Sequence, residues 1–102
     1  MKTIKIDFRK YPETPEISSN FELTEFQKSA LESLPPTVDI LNLEVENDGH
    51  HLVIINSTSQ YYNPQKHELS KEIPMTGEEI NDMLYESSIS DINEFLTNRI
   101  DD

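Results

Sequence analysis

Polar and apolar positions alternate at the start of the chain. Ile4, Ile6 and Phe8 are separated by Lys5 and Asp7, which predicts a strand over 3–8 with one face buried. From Arg9 to Glu22 the pattern breaks up around Pro12, Pro15 and Ser18-Ser19-Asn20, and reads as a loop. The period then becomes helical. Thr24 is placed as an N-cap with Gln27 three residues on to complete a capping box. Leu23, Phe26, Ala30 and Leu34 share one face of that helix, and Pro35-Pro36 ends it.

Alternation returns over Leu41, Leu43 and Val45, and an apolar run follows over Leu52-Val53-Ile54-Ile55. Asp48-Gly49 lies between them, and glycine accepts the positive φ of a tight hairpin turn. With Asp48-Gly49 as a two-residue turn, Val45 pairs with Leu52, Leu43 with Ile54, and Glu46 faces His51. The second strand is apolar on both faces, so it is expected at the centre of the sheet. Residues 57–75 carry no clean period, although Tyr61-Tyr62 before Asn63-Pro64 fits a short edge strand.

A second capping box, Thr76 with Glu79, opens a helix in which Met75 can staple to Ile80 and in which Ile80, Met83 and Leu84 form the apolar face. After Ser87-Ser88, the spacing of Ile89, Ile92, Phe95, Leu96 and Ile100 predicts a further amphipathic helix. The expected fold is α+β: a small antiparallel sheet, made of the 41–56 hairpin and the N-terminal strand, packed with about three helices. The expected order is β-α-β-β-α-α, within a single domain over 1–102.

Composition narrows the function. Leu, Ile, Val and Phe supply 27 of the 102 residues, enough for a modest core. With no cysteine, disulfides, zinc–thiolate sites and thiol nucleophiles are excluded. No run approaches the length of a membrane span or a signal sequence, so a cytoplasmic protein is expected. The net charge is −12. The first ten residues hold four bases against Asp7, a net +3, leaving four bases against nineteen acids elsewhere, a net −15. Such a field repels nucleic acid and anionic membrane and attracts basic surfaces.

The acids gather late in the chain. Glu78, Glu79, Asp82, Glu86, Asp91, Glu94, Asp101 and Asp102 face one base, Arg99. Glu78, Asp82 and Glu86 are four apart, a single helical row in which each pair repels by a few tenths of a kcal/mol. Solubility alone accounts for many acidic surfaces. A row with no lysine to relieve it also suits a basic partner. Carboxylates every ~6 Å along a helix are far sparser than the charges of duplex DNA, so mimicry of DNA would need neighbouring acids as well.

Other chemistry finds less support. His50 and His51 are neighbours on a strand and point to opposite faces, and His67 is distant, so no metal site is expected. Gly49 and Gly77 fall at a turn and a cap and form no phosphate cradle. Neither a nucleophile motif nor a cofactor motif is present, so no catalytic residue and no cofactor are expected. Tyr61 and Tyr62 remain as candidate anchors for a partner, against the plainer reading that they cap the core.

In charge and size the chain is similar to small acidic inhibitors: immunity proteins and antitoxins that block basic nuclease-type toxins, and phage proteins that disable host DNA-binding enzymes. The expected partner is therefore a basic protein, bound through Glu78, Glu79, Asp82, Glu86, Asp91, Glu94, Tyr61 and Tyr62 by a monomer or weak homodimer. The alternative is a non-catalytic scaffold or assembly subunit that oligomerises through exposed apolar residues of the sheet, Val53 and Ile55.

Overall fold

The computed structural model describes residues 1–47, 52–86 and 95–97. The chain is α+β. In chain order, β1 (Lys2–Asp7), β2 (Glu16–Ser19), α1 (Glu25–Glu32), β3 (Ile40–Asn47) and β4 (Leu52–Gln60) are followed by three short strands. These are β5 (Tyr62–Asn63), β6 (Glu68–Leu69) and β7 (Ile73–Pro74), and after them come α2 (Gly77–Glu86) and β8 (Phe95–Thr97). The sheet runs β2-β1-β3-β4-β7 with antiparallel neighbours. β8 pairs with β4 in parallel, and β5 with β6 forms a separate ribbon.

One apolar cluster joins the sheet to both helices. Ile4 and Ile6 of β1, Leu41, Leu43 and Val45 of β3, and Leu52 and Ile54 of β4 meet Ala30 and Leu31 of α1 and Ile80 and Met83 of α2. The helices therefore cover the face these residues share, and the other face presents Thr3, Lys5, Asn42, Glu44 and Thr58. Asn20 ties the start of β1 to the end of β2. Its side chain accepts from the Thr3 N–H at 2.9 Å and donates to the Met1 carbonyl at 2.8 Å.

Several expectations are corrected. The segment read as a loop contains β2, in which only Ile17 is even half-buried, so it leaves no apolar period in the sequence. Short edge strands are commonly polar in this way. The third helix and the expected element order are not confirmed. Phe95–Thr97, expected inside that helix, extends alongside Leu52–Ile54 of β4. A short apolar run is ambiguous between helix and strand, and an open strand edge decides it by main-chain pairing. The rest of that stretch, 87–94 and 98–100, lies outside the described residues.

The hairpin register differs as well. Asn47 pairs with Leu52 and Val45 with Ile54, leaving residues 48–51 between the paired ends in place of a two-residue turn. Glu46 stands opposite Val53, not His51. A bulge follows: Glu44 pairs with Asn56, so Ile55 is the extra residue. It moves the buried set of β4 from Leu52 and Ile54 to Ser57 and Ser59, and leaves Val53 and Ile55 half-buried.

On α1 the capping box forms as the spacing predicts, with Thr24 and Gln27 exchanging bonds of 3.0 Å. That box sets Gln27 inward, so the buried stripe is Gln27, Ala30, Leu31 and Leu34, and Phe26 is left 50% exposed.

Candidate functional site

The acidic helix α2 is built from its first turn. The Glu79 N–H donates to the Thr76 hydroxyl at 3.1 Å, and Glu79 Oε1 accepts from the Thr76 N–H at 3.2 Å, a reciprocal box. Met75, just before the cap, and Ile80 are both buried, as a hydrophobic staple requires. With Ile80 and Met83 turned into the core, Glu78 and Asp82 fall on the outer side, and both are exposed. Glu86 is the third position of the same row and the last residue of the helix.

The eight residues expected to bind a partner thus separate. Glu78 and Asp82 stand free on one face. Glu79 is exposed, but its carboxylate is engaged by the cap. Asp91 and Glu94 lie outside the described residues. Tyr61 is exposed, with its main chain paired to Ser70.

Tyr62 is half-buried and engaged on every side. Its N–H donates to Asp39 Oδ2 at 2.7 Å, its hydroxyl lies 3.2 Å from His67 Nδ1, and the Arg9 guanidinium sits 5.6 Å from its ring centroid. This tyrosine holds the β5–β6 ribbon to the sheet.

The charges are sorted by pairing. Arg9 grips both carboxylate oxygens of Asp7, with Nη2 to Oδ2 at 2.7 Å, and Lys10 pairs with Glu16. The hydrogen bond from Arg9 holds the Asp7 carboxyl below the usual carboxylate range, against the opposite pull of partial burial. The same bond raises the Arg9 guanidinium, and the bond to Glu16 raises the Lys10 ammonium.

Among the described residues no other acid lies in an ion pair, so two of the four N-terminal bases are spent on β1 and β2. The last turn of α2 contains no base. The Asp7–Arg9–Tyr62 arrangement was missed in the sequence. Its signal was Asp-x-Arg at a strand end, where residues two apart share a face.

Among the described residues no group of three or more His, Asp or Glu side chains is placed to hold a metal ion. No described helix is long and apolar enough to cross a membrane. No protein-family model, curated protein or solved structure matches the chain.

Proposed function

We propose that this is a small acidic binding protein that neutralises a basic protein partner, such as a nuclease-type toxin or a nucleic-acid-binding enzyme. One observation carries the reading. Glu78 and Asp82 project from one face of a capped helix with no base in ion-pair reach among the described residues, while Arg9 and Lys10 are paired elsewhere. A row left unrelieved costs the helix a few tenths of a kcal/mol per pair. A basic partner would convert that repulsion into attraction and speed its own capture. Exposed Tyr61 supplies an aromatic anchor of the kind enriched at interface hot spots. The role is binding and not catalysis.

The test is parallel capture at low salt by the native chain and by a chain carrying Glu78→Lys and Asp82→Lys. The expected result is a basic protein retained by the native chain, released by salt, and not retained by the reversed chain. A partner whose binding ignores both salt and the reversal would leave the acidic row as solvent decoration.

A further inference from the structure

The sheet face turned away from the helices carries a polar row with a charge at each end. The strand registers set Lys5 beside Asn42 and Asn42 beside Thr58. The Thr58 hydroxyl then donates to Glu72 Oε1 at 2.7 Å, which fixes that carboxylate at the far end of the row. All four residues line one shallow groove of about 390 Å³. Lys5 and Glu72 are exposed, and neither forms an ion pair among the described residues. Two strand spacings of ~4.8 Å separate the Lys5 and Thr58 positions, and Lys5 and Glu72 are not paired with each other.

We propose that this face docks a second copy of the chain, about a two-fold axis running along the strands, so that Lys5 of each copy meets Glu72 of the other. An axis in the plane of contact, placed near β3 and β4, reverses the strand order of the facing sheet and lays β1 over the β4–β7 edge. It leaves the level along the strands unchanged. Lys5, Asn42 and Thr58 share one level, so the reversed row falls on itself with opposite charges facing. Packed sheets stand ~10 Å apart, a gap that extended lysine and glutamate side chains span together. Asn42 donates to Gln60 at 2.9 Å and keeps its carbonyl oxygen as an acceptor in the middle of the row.

The net charge works against self-association, and a second copy is favoured at this face by the opposite charges at the two ends of the row. Two molecules of −12 repel, so a surface that binds itself must carry both signs in self-complementary positions. Arg9 and Lys10 are committed to Asp7 and Glu16, whereas Lys5 points out from the middle of β1. The contact is polar and therefore weak, and it uses this row instead of the half-buried Val53 and Ile55. It is independent of the acidic face of α2.

Sedimentation equilibrium tests the proposal, on the native chain and on Lys5→Glu and Glu72→Lys variants whose circular dichroism matches it. The native chain should dimerise reversibly at about 0.15 M salt, where the net repulsion between copies is screened beyond ~8 Å, and dissociate at about 1 M, where the contact pairs are screened as well. Each variant alone should dimerise about tenfold or more weakly, because both symmetric contacts become like-charged. An equimolar mixture of the two variants should recover a mixed dimer, since the two reversed charges then face each other. A native chain that stays monomeric at about 0.15 M salt, a dimer indifferent to both variants, or a mixture no better than its components would overturn the proposal.

Discussion

Arg9 holds its guanidinium 5.6 Å from the centroid of the Tyr62 ring, joining the end of β1 to the start of β5. The same group grips Asp7, so Arg9→Ala removes a bidentate ion pair and a cation–π contact together. Both are partly exposed, and the expected cost is about 1 kcal/mol by urea unfolding at neutral pH. Asp7 sets the pH dependence. Its carboxyl is held below the ordinary value of 3.8, so the pair contributes fully above that value and is lost as pH falls through the lower folded one. Native protein should therefore lose more stability than the variant as the pH is taken below 3.8. Equal acid sensitivity would mean that the pair contributes nothing.

Thr76 and Glu79 make a second pairing whose loss can be read without any partner. Thr76→Ala leaves the first turn of α2 uncapped and should cost about 1 kcal/mol. Glu79→Gln keeps an acceptor for the Thr76 N–H and should cost less than half of that. Thermal unfolding followed at 222 nm separates the two. A Gln variant as damaged as the Ala variant would assign Glu79 an electrostatic role in place of a capping one.

Leu31 and Phe26 test the inward stripe of α1. Leu31 is 1% exposed and Phe26 is 50% exposed. Leu31→Ala should cost about 2–4 kcal/mol, and Phe26→Ala about 1 kcal/mol or less, despite the larger side chain removed. The reverse order in chemical denaturation would restore the stripe that the apolar spacing predicts.

The apolar spacing misplaced that stripe, putting Phe26 inward and missing Gln27 and Leu31. Both helix starts were legible, because a capping box is a contact between residues three apart and needs nothing else of the fold. The alternation of Ile4, Ile6 and Phe8 likewise declared β1. Pairing between distant segments was not legible. Ile17 has meaning only opposite Ile6, the bulge at Ile55 only against Glu44 and Val45, and Phe95–Thr97 only beside Leu52–Ile54. The site divides in the same way. Exposure of Glu78 and Asp82 follows from their offset to Ile80 and Met83 on one helix. The engagement of Tyr62 required Arg9, Asp39 and His67 to arrive from three other places in the chain.

Asp82→Lys separates folding from binding more sharply than any deletion. Glu78 lies four residues before position 82, and both side chains are exposed. In the native chain this pair repels, whereas glutamate four residues before lysine attracts by about 0.3–0.5 kcal/mol. The substitution should therefore raise the stability of α2, by up to about 1 kcal/mol once the lost repulsion is included. If the row exists to meet a basic surface, the same substitution should slow association with that partner and flatten its salt dependence. A variant that is both more stable and weaker in binding would identify the repulsion as retained for function. A variant that is more stable and unaltered in binding would return Asp82 to the solvent.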